Sequence, residues 1–205
     1  MSKRQGMQSP RQQAAQSPRQ AIQAQRRRKQ LLTTALWAGL ALALVVGVGG
    51  VVWAAARPLP GEAVAVMADS SHVAEGTDPG PYNSDPPASG KHYEATLKAG
   101  FYNEGDVTAE YPAGHLVHNL EHGYVIFWYN CALAGGDCSA LKSAIQAVLQ
   151  AEDNLKVIAY PWSSIDVPVV LTSWGRMQRF AAFDAQQARE FVRRNRNKAP
   201  EPNAP

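Results

Sequence analysis

The chain has 205 residues, of which 45% are hydrophobic and 18% are charged, and its formal net charge is +3 at pH 7. Eight of its twenty basic residues precede residue 30, so the rest of the chain holds twelve basic and all seventeen acidic residues, a formal charge of −5. The basic character of the whole chain therefore comes from its N-terminal segment alone. No nucleic-acid-binding motif accompanies that segment, so we do not expect nucleic acid as a partner.

Residues 1–30 are rich in Gln, Arg and Ser, which predicts a disordered basic tail on the cytoplasmic side. Residues 31–56 contain no charged side chain and are dominated by Leu, Ala, Val and Gly. As a helix this run would extend about 39 Å, enough to cross a hydrocarbon core of roughly 30 Å. Trp37 and Trp53 lie near its two ends, as interfacial aromatic residues do. We therefore predict a transmembrane helix over residues 31–56.

The alternative for this segment is a signal peptide that is cleaved after Ala56, because Ala54–Ala56 resembles a cleavage site. The apolar run is longer than the roughly 7–15 residues of a signal-peptide core, which favours an uncleaved anchor. The flank before the run is basic and contains no acidic residue, which predicts a cytoplasmic N-terminus. We therefore expect a single-pass protein of the cell membrane with an extracytoplasmic C-terminal domain.

After the apolar run, residues 57–81 are turn-rich and predict a spacer, residues 82–198 predict one exported domain, and residues 199–205 predict a C-terminal tail. The apolar run Tyr124–Tyr129 predicts a central strand. The later predicted elements are a helix that ends near Glu152, strands over Leu155–Tyr160, Val167–Ser173 and Arg176–Ala182, and a helix capped by Asp184. This order predicts an α+β fold: a mixed or mostly antiparallel sheet with two helices packed on it.

Two histidines and a carboxylate, His118, His122 and Glu121, lie within five residues, directly before the predicted central strand. On a helix, side chains four residues apart lie one turn apart and can bind the same metal ion. On a strand they would be about 13 Å apart, at about 3.3 Å per residue, and could not. Gly123 permits a sharp change of direction, so we predict a short helical turn over residues 117–122 and a strand from about residue 124.

A third metal ligand must come from another part of the chain. His92 follows a loop stiffened by Pro86 and Pro87 and is the best candidate, whereas His115 and His72 have less rigid surroundings. We therefore predict a metal site made by His92, His118 and His122, in which Glu121 accepts the second ring N–H of a histidine. Imidazole ligands suit zinc, copper or nickel, and we expect one zinc or copper ion.

Two other interpretations of the histidines stay open. The motif His118-x-x-Glu121-His122 matches the inverted pattern of zinc peptidases, but that pattern requires a long helix, and a glycine and a strand-like run follow here. We therefore expect no catalytic residue. Alternatively, the histidines are structural and hydrogen-bond to carbonyl groups and to Glu121. The domain would then be a non-catalytic module that binds another envelope protein through residues 82–93.

Cys131 and Cys138 are the only cysteines of the chain, with six residues between them. In an exported domain this pair predicts a disulfide that closes a small loop. A thiolate metal site is the alternative. The spacing differs from the Cys-x-x-Cys pattern of thiol oxidoreductases, which argues against redox catalysis.

Distinctive short motifs occur in the second half of the chain: Tyr82-Asn83-Ser84, Pro86-Pro87, Ser89-Gly90, His92-Tyr93, Gly100-Phe101-Tyr102, Leu116–Gly123, Thr172–Arg176 and Ala199–Pro202. In these motifs the chain resembles the family known as domain of unknown function 3105, over roughly residues 60–202. The resemblance implies a bacterial or archaeal protein that is usually anchored by one N-terminal span, with its domain exported. It implies no particular activity, so the chemistry of the site must be argued from the residues.

Overall fold

The computed structural model describes residues 10–136 and 138–204. The chain divides into two compact units, Met1–Pro58 and Leu59–Pro205, and each is described by itself. The first unit contains one long helix. The second contains the remaining helices and all of the described strands, and its α+β architecture agrees with the prediction from the sequence.

Helix α1 spans Pro10–Ala56 and is the one described helix that is long and apolar enough to cross a membrane. None of the apolar window is buried, which distinguishes α1 from the core helix of a soluble protein, although a signal sequence has the same length and composition. The helix is longer than the predicted span over residues 31–56, because it begins at Pro10. Ala, Gln and Arg are good helix formers, so an apolar helix extends readily through them. The predicted tail over residues 1–9 lies outside the described residues.

The second unit is built on a six-stranded mixed sheet. Its strands are β1 (Glu62–Ala63), β2 (Gly100–Phe101), β3 (Val125–Tyr129), β4 (Val157–Pro161), β5 (Val169–Ser173) and β6 (Arg176–Phe180). Their spatial order is β1-β6-β5-β3-β4-β2. Strand β4 is parallel to β2 and to β3, whereas the pairs β3–β5, β5–β6 and β1–β6 are antiparallel.

The central strand β3 is buried on both faces, which explains why its sequence is continuously apolar. Because side chains alternate along a strand, Phe127 and Tyr129 face one apolar cluster, whereas Ile126 and Trp128 face the other. Helices α3 (Cys138–Ala151) and α4 (Ala185–Asn195) contribute to the first cluster, as the sequence predicts. A third helix, α2 (Ala113–Glu121), contributes Leu116 and Leu120 to the second cluster.

The boundaries of the second unit differ from the predicted spacer and tail. Strand β1 pairs with β6 inside the segment predicted as a spacer, so this segment belongs to the folded unit from Leu59 onward. At the other end, the N–H of Glu201 donates to the carbonyl of Glu121, at 3.0 Å. The Nζ atom of Lys156 donates to the carbonyls of Pro202 and Ala204, at 2.9 and 2.7 Å. One backbone hydrogen bond and two hydrogen bonds from the Lys156 side chain therefore attach the predicted C-terminal tail to the fold.

Candidate metal centre

The histidine motif lies on the last turns of α2, as the sequence predicts. The helix ends at Glu121, His122 forms its C-cap, and Gly123 adopts a left-handed conformation with φ of 84°. A Cβ atom at Gly123 would lie 2.7 Å from the Cα of Asn197, so glycine is required there on steric as well as conformational grounds. Strand β3 begins two residues later. This sharp end of the helix fixes the positions of His118 and Glu121.

Two further histidines are brought together by backbone pairing. His72 and His92 form an isolated parallel β-bridge, in which the N–H of Val73 donates to the carbonyl of His92 at 2.8 Å. The N–H of His92 donates in turn to the carbonyl of Ser71 at 3.3 Å. Paired residues of neighbouring strands project to the same face, so both imidazoles lie on one side of the bridge. Their ring centroids are 4.7 Å apart.

The helix and the bridge meet to form a group of four potential metal ligands. One donor atom from each of His72, His92, His118 and Glu121 lies within 4.8 Å of the other three. We call these four residues the histidine group. In a tetrahedral zinc site the ligand atoms are about 3.4 Å apart, from metal–ligand bonds near 2.0–2.1 Å. Side-chain shifts of about 1 Å would therefore bring the histidine group to coordination distance.

The tautomer of a neutral His92 ring follows from its hydrogen bonds. Its Nδ1 atom lies 2.9 Å from the carbonyl oxygen of Gly90, which can only accept, so Nδ1 carries the hydrogen. In the neutral ring Nε2 then has a free lone pair, and this atom lies 2.9 Å from Oε2 of Glu121. Within the described residues, Nε2 is fully buried and has no aligned hydrogen-bond partner. Two acceptor atoms thus face a common point in a dry environment, an arrangement that a cation stabilises.

His118 is also suited to bind a metal. Its pKa is lowered from the ordinary value of 6.5 to about 4, mainly because burial disfavours the charged ring. The neighbouring imidazoles lower it in the same direction: those of His122, His92 and His72. His118 is therefore neutral at pH 7, as a metal ligand must be. Its Nδ1 atom is buried and finds no hydrogen-bond partner among the described residues.

His72 closes the histidine group on the solvent side. Its side chain is 46% exposed, and its Nδ1 atom lies 3.3 Å from Oε2 of Glu94. A histidine that binds metal through one ring nitrogen usually donates its other N–H to a carboxylate or a carbonyl. His72 with Glu94 and His92 with Gly90 both have this arrangement. His72 is therefore the exposed member of the histidine group, whereas His92 and His118 are buried.

The histidine group differs in three ways from the predicted ligand set. His72, a weaker candidate than His92 by sequence, belongs to it. The bridge between them joins residues 20 positions apart and therefore leaves no local sequence signal. His122 does not belong to it: at the C-cap its Nε2 atom lies 3.5 Å from Oε2 of Glu201. Glu121 lies inside the histidine group rather than behind a ligand, since its carboxylate faces the Nε2 of His92.

His115 lies outside the histidine group. Its Nδ1 atom donates to the carbonyl of Ala95 at 2.7 Å, and its Nε2 atom lies 3.2 Å from Oε1 of Glu75. The first contact is a hydrogen bond between α2 and the preceding loop.

The C-terminal segment adds contacts that sequence patterns did not indicate. Lys156 has a left-handed backbone, with φ of 50°, and its Nζ atom donates to the carbonyl of His122 at 2.9 Å as well as to Pro202 and Ala204. Burial lowers the pKa of this ammonium group. With Glu201 beside His122, the segment supports the end of α2 from which His118 and Glu121 project. A lone lysine after a helix gives no sequence signal for such a role.

Cys131 and Cys138 form a disulfide, with Cα atoms 5.2 Å apart, as the sequence predicts. The bond joins the short 3-10 turn Cys131–Leu133, which follows β3, to the first residue of α3. The cysteines lie at the carboxyl end of β3, whereas the histidine group lies near its amino end. The thiolate metal site considered as an alternative therefore does not form.

Comparison with known proteins gives a family but no activity. No curated protein and no solved structure matches the chain. The family described as "Protein of unknown function (DUF3105)" matches residues 72–205, which include His72 and the whole histidine group. Because this match covers most of the chain, the protein belongs to the DUF3105 family.

Proposed function

We propose that this chain is a membrane-anchored, extracytoplasmic domain that binds one transition metal ion through the histidine group. The observation that carries the proposal is the pair of facing acceptors, Nε2 of His92 and Oε2 of Glu121, at 2.9 Å in a buried setting. The orphaned Nδ1 of His118 lies in the same region, with the rings of His92 and His118 4.9 Å apart. Buried polar atoms without partners are rare in proteins, and one bound cation would satisfy several of them together.

The donor set favours zinc(II) or copper(II). Three imidazole nitrogens and one carboxylate oxygen are typical ligands of both ions. Copper(I) prefers thiolate or thioether sulfur, and among the described residues the histidine group contains no sulfur donor. With four protein ligands the ion would cross-link α2 to the bridge of His72 and His92. With the exposed His72 displaced, one coordination position would open to a ligand from solvent.

The location rests on separate observations. Helix α1 is apolar, unburied and long enough to span a bilayer, and we propose that it is retained as an anchor. Its basic flank before residue 30 supports a cytoplasmic N-terminus. The domain from Leu59 onward would then be outside the cytoplasm, where a disulfide such as Cys131–Cys138 is stable.

Metal analysis of the full chain in detergent micelles tests the proposal. After incubation with zinc or copper and removal of excess ion, mass spectrometry should find one ion per chain. His118→Ala should remove most of it. His72→Ala should weaken binding by roughly tenfold or more, with little effect on folding because the side chain is half exposed.

His115→Ala is the matched control, because His115 lies on the same helix and is equally buried but is outside the histidine group. It should retain the ion as long as the chain folds, which circular dichroism reports. A chain that binds neither metal above the level of His118→Ala would contradict the proposal. It would favour instead a protein-interaction module with structural histidines.

A further inference from the structure

Three arginines surround one buried carboxylate on the second unit. Glu152 directly follows α3, and its side chain is 4% exposed. The Nε atoms of Arg189 and Arg193 both donate to its Oε1 atom, at 3.3 and 2.9 Å. At the C-cap of α4, Arg196 donates from Nη2 to Oε2 of Glu152, at 3.4 Å, and from Nη1 to the carbonyl of Leu155, at 3.0 Å. We call these three arginines the arginine cluster.

The arginine cluster carries more positive charge than the structure beneath it requires. A buried carboxylate needs a counter-charge, and the carboxyl end of α3 beside it adds about half a negative charge. Three guanidinium groups exceed this requirement. Arg189 and Arg193 contact Glu152 through Nε alone, and within the described residues their terminal nitrogens have no partner. These two side chains are 39% and 57% exposed, so their terminal N–H groups are available to an anion from solvent.

Basic residues are concentrated on this part of an otherwise acidic unit. Leu59–Pro205 contains eleven basic and seventeen acidic residues, and five of the eleven lie between positions 189 and 198. Glu190 is the one acidic residue in that interval. Arg189 and Arg193 also border a shallow depression of about 610 Å³ on the outer surface of α4. A unit with a net negative charge thus has a basic face where an anionic partner fits.

The segment that enters the second unit packs on the same helix. The Nδ2 atom of Asn195 donates to the carbonyl of Pro60, at 3.3 Å. A Cβ atom at Gly61 would lie 2.7 Å from the ring of Phe191, which shows how closely this segment approaches α4. Arg176 on β6 also donates from Nη1 to the carbonyl of Gly61, at 3.0 Å. The first residues of the unit are therefore fixed against α4 and β6.

The length of the chain limits how far α4 can lie from the end of the apolar run. Two residues, Arg57 and Pro58, separate Ala56 from Leu59. An extended chain spans at most about 3.6 Å per residue, so Leu59 lies within about 11 Å of Ala56. Along α4, Arg189 is about 9 Å from Asn195, at 1.5 Å per residue. Lipid headgroups around the end of the apolar run are therefore within reach of the arginine cluster.

We propose that the arginine cluster binds the phosphate groups of anionic phospholipids and docks the second unit on the membrane through α4. Guanidinium groups donate paired N–H groups to phosphate oxygens, and terminal N–H groups are what Arg189 and Arg193 present. The attraction of each basic residue to an anionic surface is modest. A tether of two residues makes docking intramolecular, so a modest attraction suffices. The inference rests on the proposed retention of α1 as an anchor and is independent of the metal.

Chemical modification of arginine tests the docking on the unaltered chain. The full chain, with chelator present, is reconstituted into nanodiscs of phosphatidylcholine alone or mixed with phosphatidylglycerol. Hydroxyphenylglyoxal then modifies accessible arginines, and mass spectrometry measures the rate at each position. Modification of Arg189 and Arg193 should slow by about threefold or more in the anionic nanodiscs, and high salt should remove the difference.

Arg179 is the internal control for this measurement. It is 35% exposed, close to the 39% of Arg189, and it lies on β6. Its side chain is on the face of Met177, which belongs to the second apolar cluster, whereas α4 packs on the first. Its rate should be the same in both lipids. Equal rates at Arg189 and Arg193 in both lipids would overturn the proposal and favour an acidic protein as the partner. A chain that does not enter nanodiscs would refute the anchor and, with it, the docking.

Removing charge from the arginine cluster tests its role directly. A donor dye attached through Gln186→Cys, at an exposed position beside the depression, reports energy transfer to acceptor dyes on lipid headgroups. Transfer should be greater in anionic than in neutral nanodiscs. The double substitution Arg189→Gln with Arg193→Gln should abolish this increase.

The double substitution Lys98→Gln with Arg179→Gln is the matched control, because it removes the same charge from exposed positions outside α4. It should keep the increase in energy transfer. Circular dichroism reports whether each variant folds, and the modification rates of the unaltered chain decide the matter if the first variant does not. An increase of the same size in both folded variants would overturn the proposal.

Discussion

Glu121 and His92 face each other with two acceptor atoms, Oε2 and Nε2, 2.9 Å apart, because Nδ1 of His92 is committed to the carbonyl of Gly90. The pair therefore needs a proton or a metal ion, and without either it destabilises the fold. The carboxylate is also not aligned for a hydrogen bond with the ring.

Replacing Glu121 by Gln separates the two roles of this carboxylate. The amide nitrogen can donate to Nε2 of His92, so without metal the free energy of unfolding should rise by about 1 kcal/mol. The affinity for zinc should fall by about 10- to 100-fold, because a charged oxygen donor is lost. Urea denaturation with chelator and competition with a chromophoric zinc chelator measure the two effects.

Glu190→Gln is the control for Glu121→Gln, because Glu190 is exposed and is outside the histidine group. It should leave both quantities unchanged. If Glu121→Gln destabilises the metal-free protein instead, the carboxylate is bound to a protonated His92 as a structural ion pair, and the facing acceptors do not exist in solution.

Local sequence patterns predicted the elements that form this site but not the pairing that brings them together. Local patterns predicted the helical turn at residues 117–122, the strand after Gly123 and the importance of His92, because caps, glycines and apolar periodicity are local signals. They could not supply the bridge between His72 and His92, which depends on pairing two irregular segments. For the same reason they assigned residues 57–81 to a spacer and residues 199–205 to a tail. The contacts of Lys156 with the C-terminal carbonyls are equally non-local.

The lowered pKa of His118 predicts how the metal-free protein responds to acid. Because the ring has a pKa of about 4 when folded and near 6.5 when unfolded, the unfolded chain binds more protons between these values. The free energy of unfolding should therefore fall as the pH is lowered from about 7 towards 4, by about 1–3 kcal/mol from this residue. Urea denaturation with chelator at a series of pH values measures the slope.

His118→Gln should flatten this slope between pH 4 and 6.5, since the substitution removes the titrating group. His115→Gln provides a comparison on the same helix, with a ring that is outside the histidine group. A slope that is identical in wild type and His118→Gln would show that His118 is not held neutral by its surroundings.

Lys156 links the end of α2 to the C-terminal segment through three carbonyl groups, those of His122, Pro202 and Ala204. Lys156→Met keeps the length of the side chain but removes the donors. We expect a loss of about 1–3 kcal/mol in the free energy of unfolding, because hydrogen bonds to a charged group are replaced by none. Amide hydrogen exchange should increase at residues 201–204, where the segment is held. Lys98→Met, at an exposed position, should change neither quantity.

Gly123 provides a test of how sharply α2 must end. Gly123 and Gly105 have nearly the same backbone conformation, with φ of 84° and 87°. A Cβ atom at Gly105 meets nothing within 4 Å, whereas one at Gly123 would lie 2.7 Å from the Cα of Asn197. Gly105→Ala should therefore cost about 1 kcal/mol, from left-handed strain alone.

Gly123→Ala adds a backbone clash to the same strain and should cost about 2–4 kcal/mol in the free energy of unfolding. It should also weaken metal binding, because the clash displaces the end of α2, where His118 and Glu121 project into the histidine group. Denaturation of the two alanine variants side by side, followed by zinc competition on each, separates strain from displacement. Equal losses of stability in both variants would mean that Asn197 moves away freely. The end of α2 would then not be fixed by its contact with that residue.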